Sequence, residues 1–188
     1  MLRPRRVSAA DAAAHPRCRL PADAKSLVFS QWTALLDIAA PFLAAAGYGI
    51  ARLDGSMSLE ERGAAVARFT HEPRCRVVLL SLQAGGVGLH LVAATHVWML
   101  DPWWNPAVEM QAQERCHRLG QSRPVTVHRL YIRDTVEQAI VALQERKRGL
   151  AASTLAGDLK ALNRLNLADL KLLFTRPGAS KAAPAAGK

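Results

Sequence analysis

No stretch of this sequence stays apolar over the roughly 18–20 residues that a membrane-crossing helix requires, so no such helix is expected. Cysteine is scarce. Cys18, Cys75 and Cys116 are the only three, widely spaced and outside any C-x-x-C pair. That pattern argues against a disulfide framework or a zinc finger and for reduced thiols in an intracellular protein. Cys75 and Cys116 read as small packing residues rather than nucleophiles. A G-x-x-x-x-G-K-[ST] phosphate loop is missing too, since the only Gly-Lys pair is Gly187-Lys188. No candidate strand ends in an Asp-Glu pair able to hold Mg²⁺, and no set of metal ligands is spaced as a site. The basic start, Met1-Leu2-Arg3-Pro4-Arg5-Arg6, lacks the apolar core of a secretory signal.

What is present is an even mixture. Half of the 188 residues are apolar, enough for one substantial core and therefore one domain with tails. The net charge of +10 suggests a polyanionic partner, but it is concentrated at the ends. Residues 1–20 carry +4 and residues 146–188 carry +7, whereas residues 21–145 sum to −1. Basic ends of this kind bind nucleic acid or simply solubilise, and charge alone does not choose between the two.

Residues 1–22 read as a disordered, basic and Ala-rich lead-in, and 175–188 as a disordered tail with too few large apolar groups to fold. Between them, apolar runs alternate with helical patterns. Candidate strands are 26–30 (SLVFS), 49–54 (GIARLD), 77–81 (VVLLS), 96–101 (HVWMLD) and 125–132 (VTVHRLYI). Runs with no polar alternation fit strands covered on both faces, as in a parallel sheet. Helices are expected over 33–46, before Gly47 as a C-cap, and over 58–69, where Ser58 and Glu61 have capping-box spacing. A further helix over 134–150 would place Val136, Ile140 and Leu143 on one stripe. Leucines at 155, 159, 162 and 165, and the segment 166–174 (NLADLKLLF), suggest a helical extension over 151–174. Strand alternating with helix gives an α/β fold, a mostly parallel open sheet with helices on both faces.

The chemistry concentrates in four blocks. Residues 101–121, DPWWNPAVEMQAQERCHRLGQ, leave the carboxyl end of a candidate strand, with Asn105 as N-cap and Pro106 in the first helical turn. On that helix Gln111, Arg115 and Arg118 are spaced by four and three residues and would share a face. An amide and two guanidiniums so placed can clamp a polyphosphate; equally, they can form a solvated charged face paired with Glu109 and Glu114. Residues 81–91, SLQAGGVGLHL, follow a buried strand. Their Gly85, Gly86 and Gly88 suit either a tight turn or close approach to phosphate. The third Gly of a dinucleotide fingerprint is missing, which excludes a dinucleotide-dependent enzyme. The remaining blocks are 25–32 (KSLVFSQW) and 53–69 (LDGSMSLEERGAAVARF). Trp32, Trp103 and Trp104 are stacking or wedge groups for nucleic acid, or partly buried packing; Trp98, within a strand, reads as core.

In order and content the four blocks resemble the C-terminal helicase lobe of the Swi/Snf-type DNA-dependent ATPases of helicase superfamily two, over residues 25 to about 150. KSLVFSQW is similar to that family's motif IV, SLQAGGVGLHL to motif V, and DPWWNPAVEMQAQERCHRLGQ to motif VI with its lead-in. The ending LQERKRGLA…LNLADLKLLF resembles the branch associated with DNA repair and post-replication tolerance. The resemblance implies a RecA-like three-layer sandwich over 23–150, followed by the C-terminal helices. It also implies a two-lobed motor in which ATP with Mg²⁺ lies between this lobe and an N-terminal one. Arg115 and Arg118 match its arginine fingers, Gln111 a nearby amide, and Gly88 and His90 the approach to the nucleotide. His90 departs from the usual Asn. By the same carry-over Ser30, Gln31, Trp32, Gly55, Arg62, Ser81, Gly85 and Trp104 would face duplex DNA, free or nucleosomal; for Arg62, bracing its own helix is the alternative. With the phosphate loop and Asp-Glu motif missing, the chain is expected to hydrolyse little ATP alone and to be part of a longer, nuclear protein (cytoplasmic in a bacterium). The competing expectation is a non-enzymatic DNA- or partner-binding module that retains the fold.

Overall fold

The central strand of the domain is β2 (Ser26–Ser30), five residues that are all buried. In the computed structural model, which describes residues 5–6, 23–84, 91–116, 121–153 and 165–174, β2 lies between β4 (Cys75–Ser81) and β5 (His96–Met99). Ser30 registers with Ser81 on one side, and Phe29 with Met99 on the other. Outward from these run β3 (Gly49–Leu53) on one flank, and β6 (Thr126–Arg129) and the two-residue β1 (Arg5–Arg6) on the other. The six-stranded order is β1-β6-β5-β2-β4-β3, with every pairing parallel.

Alternation along each strand builds two cores, because successive side chains point to opposite faces. Leu27, Phe29, Val78, Leu80, Val97 and Met99 meet Phe69 of α2 (Leu59–His71) and Ala112 of α3 (Pro106–Gln113). On the reverse face Val28, Val77 and Leu79 lie under Leu36 of α1 (Thr33–Ala45). α1 and α2 take opposite faces because the chain turns back along the sheet after β3, and right-handed crossovers then fall on opposite sides. That reversal makes the carboxyl edge around β2 the switch point where such sheets bind ligands. α4 (Val136–Ser153) contacts α3, and α5 (Leu167–Phe174) packs against α4.

Local signals put the elements where the sequence suggests. Ser58 accepts the Glu61 N–H while Glu61 accepts the Ser58 N–H, completing the capping box. Gly47 ends α1 at φ 85°. Cys75 and Cys116 are buried free thiols; burial raises the first and pushes the second up to about 12, so both stay protonated as packing groups. Four features differ from the sequence reading. Arg5–Arg6 pair with β6 as an edge strand within the expected lead-in. Trp98 packs against the reverse-face core, as its strand position suggests, but is only half-buried, with its ring stacked on His128. α4 turns Ala139, Leu143, Gln144 and Lys147 inward while Val136 is exposed, so the stripe is helical but rotated. α3 ends at Gln113, too early to carry Arg115 on a regular helical face. Leucines 155, 159 and 162 lie outside the described residues.

Two glycines test this geometry in opposite directions. A Cβ on Gly49 would sit 2.3 Å from the Arg74 carbonyl oxygen, to which the Gly49 N–H donates at 3.0 Å. Gly49→Ala should therefore destabilise the lobe by about 1–3 kcal/mol. Gly63 lies within α2 with open space around it, and Gly63→Ala should stabilise by about 0.5–1 kcal/mol. A urea midpoint for Gly49→Ala at or above that of the parent would contradict the close approach at Gly49, and a lowered midpoint for Gly63→Ala would contradict the open space there.

Candidate functional site

Ser30 ends β2 and Ser81 ends β4, side by side and buried. Ser30 Oγ donates to Asp101 Oδ2 and in turn accepts the Trp32 N–H at 2.9 Å, while the Gln31 N–H donates to Asp101 Oδ1 at 3.1 Å. Ser81 Oγ accepts the Ala84 N–H at 3.1 Å, and the Leu82 N–H donates to the Ser30 carbonyl at 2.9 Å. The carboxylate just beyond β5 thus shapes the turn after β2, and the indole of Trp32 is left 63% exposed. Burial pushes the Asp101 pKa above the ordinary carboxylate value, against the hydrogen bonds from Ser30 and Gln31 that pull it down.

A second turn lies beyond β3, at residues 54–58. Asp54 accepts from the Ser56 hydroxyl and N–H, and from Arg52 Nε at 3.1 Å; led by the Ser56 hydroxyl, these hold its pKa below the usual range despite some desolvation. Arg62 donates to the Gly55 carbonyl at 3.2 Å, so in this structure it braces its own turn. The Gly55 region is exposed beside it.

At the same edge β5 leads into Trp103, Trp104 and Asn105. Asn105 caps α3 by accepting the Ala107 N–H at 3.0 Å, with Pro106 in the first turn. Glu109 is not on a solvated face, as one sequence reading had it; it is 1% exposed. Its Oε1 accepts the Trp103 N–H at 2.9 Å and Gln144 Nε2 at 2.6 Å, and its Oε2 faces Arg129 Nε at 3.4 Å. Gln144 also donates to the Trp103 carbonyl. Both polar groups of the Trp103 backbone are therefore occupied from beneath, and the loop is held in one shape.

Arg115 lies at the opposite edge of the sheet. Its carbonyl accepts the Leu91 N–H at 3.3 Å, and Leu91 sits in the approach to β5, where the Thr95 N–H meets the carbonyl of Lys25 just before β2. Gln121 Nε2 ties the same place together, donating to Val92 at 2.8 Å and Ala94 at 2.9 Å. Around Arg115 the helical bonds shorten to i→i−3, from Arg115 to Ala112 and from Cys116 to Gln113. Gln111, on α3, is exposed, and Arg115 is half-buried. Arg118, Gly85, Gly88 and His90 lie outside the described residues. The sequence candidates therefore divide. Ser30, Gln31, Trp32, Gly55, Ser81 and Trp104 gather along the carboxyl edge, and Arg115 stands at the other. Asp101, Glu109 and Gln121 were given no site role from sequence; all three lie within the most distinctive block, which was the one available signal.

An all-parallel sheet covered by helices on both faces, with polar turns along its carboxyl edge, is a RecA-like lobe. The family described as "Helicase conserved C-terminal domain" matches residues 17–120. The chain is 49% identical over 152 residues to "Helicase-like transcription factor CHR27" of Arabidopsis thaliana, a match covering 80% of this chain and 14% of that protein. To "DNA repair protein rad8" of Schizosaccharomyces pombe it is 45% identical over 150 residues, covering 80% and 13%. The crystal structure of the C-terminal part of the Fun30 ATPase domain aligns with a TM-score of 0.65 at 30% identity, over 80% of this chain and 46% of that one. The chain belongs to the helicase C-terminal domain family, among the Swi/Snf-type helicases that include the Rad5 and Rad8 repair proteins. It spans about one seventh of the length of the curated relatives it matches.

The raised pKa of Asp101 makes a signed prediction. A carboxylate with a higher pKa folded than unfolded binds more protons in the native state, so its contribution to stability falls as pH climbs from the ordinary value of 3.8 through the raised one. Asp101→Asn removes that term. Urea titrations across this window should show the stability of Asp101→Asn relative to the parent improving as pH rises; a flat difference would contradict the burial effect.

Proposed function

We propose that this chain is the second motor lobe of an ATP-dependent DNA translocase of the chromatin-remodelling type, acting in the nucleus with an N-terminal lobe. The observation that carries the reading is the division of the candidate residues between two edges of one rigid sheet. The carboxyl edge turns Gln31 and the exposed Gly55 turn to a DNA backbone, contacts that position without reading sequence, while the buried hydroxyls of Ser30 and Ser81 are spent on the turns beneath and act only by shaping them. Trp104 lies against the tracked strand. At the other edge Arg115, with Arg118 three residues further along the sequence, reaches the γ-phosphate of a nucleotide held by the partner lobe.

The donor set fits that nucleotide in part. A half-buried guanidinium on a turn stapled to Leu91 by its own backbone is a pre-placed cation, and Gln111 exposes an amide one turn earlier. Bound ATP with Mg²⁺ would supply the phosphoryl group and its counter-charge; this chain would supply the arginines that stabilise charge developing in transfer, an effect of about 10³–10⁵ in rate. The metal and the β-phosphate belong to the N-terminal lobe, because the sequence here has neither a phosphate loop nor an Asp-Glu pair. His90 would meet the nucleotide where relatives carry Asn, with one hydrogen bond available to it.

The test joins this chain to its N-terminal lobe and measures ATP turnover with and without duplex DNA. DNA should stimulate turnover, Arg115→Ala and Arg118→Ala should each lower it by about 10³-fold or more, and the chain alone should turn over almost none. Unchanged turnover in both arginine variants would sink the finger assignment and favour a lobe that only binds DNA or a partner.

A further inference from the structure

Where α3, α4 and α5 meet, the lobe buries charge in positions that leucine could fill. Glu109 and Gln144 are each 1% exposed, Lys147 3% and Asp169 2%. Lys147 Nζ stands 4.8 Å from the centre of the Trp104 ring and 3.6 Å from Asp169 Oδ2. Asp169 Oδ1 also pairs with Arg146, at the surface end of the cluster. The same carboxylate starts α5: Asp169 Oδ2 accepts the Asn166 N–H at 3.1 Å, and Asn166 Oδ1 accepts the Asp169 N–H at 2.8 Å.

Buried ion pairs return little net stability, because desolvation offsets most of their attraction. An apolar seam between three helices would hold them at least as well. What the charges add is direction. A cation over an indole face is attracted along the ring normal, and a carboxylate that fixes the cation thereby fixes the plane of the ring. The backbone next to that ring is held separately, by Glu109 and Gln144 on Trp103. Between them the two arrangements hold both the loop and its half-buried aromatic.

We infer that Asp169, acting through Lys147, is a positioning residue for Trp104, which makes the C-terminal segment 165–174 part of the DNA-facing site. This rests on the reading that Trp104 touches DNA. The segment then has a use beyond covering the domain: it sets how the indole meets the strand, and displacement of α5 would release it.

The 188-residue chain labelled with 5-fluorotryptophan provides the test. Its Trp104 fluorine resonance is assigned by Trp104→Phe. Asp169→Asn keeps an acceptor for the α5 cap but removes the charge, and Lys147→Met keeps volume but removes the cation. Both variants should move the Trp104 resonance and leave that of Trp32 in place, with unchanged helical circular dichroism. A Trp104 resonance that stays put in both overturns the inference. In parallel, affinity for a short fluorescein-labelled duplex is followed against salt. Asp169→Asn should weaken binding about 5-fold, part of a base-stacking contact, without altering the salt slope. The same substitution in a Trp104→Ala background should have no effect; equal weakening in both backgrounds overturns positioning through Trp104. If Trp104→Ala alone binds the duplex as tightly as the parent, the DNA role of Trp104 is wrong, and the fluorine spectra still decide positioning independently.

Discussion

Everything in this lobe takes its place from the pairing of β2 between β4 and β5. A five-residue strand with both neighbours parallel and both faces covered has every backbone group committed and every side chain buried. The pairing brings Ser30 beside Ser81 and sets the end of β5 against the end of β2, and from there Asp101 can reach back to Ser30 and Gln31. The carboxyl edge is thus a consequence of register. A slip by one residue would turn Leu27 and Phe29 to the wrong face and separate the carboxylate from its donors.

The polar interior belongs to a different physical regime. Asp101, Glu109, Lys147 and Asp169 are all buried, and each is held by hydrogen bonds or opposite charge from another element. Such groups contribute modestly to net stability but strongly against alternative arrangements, because a broken pair leaves a charge without water. Burial of these pairs fixes the loops along the carboxyl edge relative to one another. The joint between Leu91 and Arg115 acts at the other edge, coupling the segment after β4 to the end of α3 through the backbone itself.

The parts legible in the sequence were those decided locally. The buried run SLVFS, the Ser58–Glu61 capping box and the Asn105–Pro106 helix start depend on neighbours a few residues away, and all three are found where their residues suggest. The site was legible only as a set of blocks. That Arg115 and the turns carrying Gln31, Gly55 and Trp104 stand at opposite edges was not, because edge assignment follows from strand order and from where α3 stops.

By itself, the sequence determined the α/β alternation, the family and the chemical character of the blocks, since periodicity, caps and residue types are carried along the chain. Tertiary structure alone decided which charges are buried and what they hold. Glu109 and Gln144 are 35 residues apart in the chain and meet only because α3 and α4 pack together. A glutamate or a lysine reads as surface in a string of letters. Its burial depends on a partner brought in by distant strands, and the free energy of that meeting is a property of the assembled helices rather than of either segment.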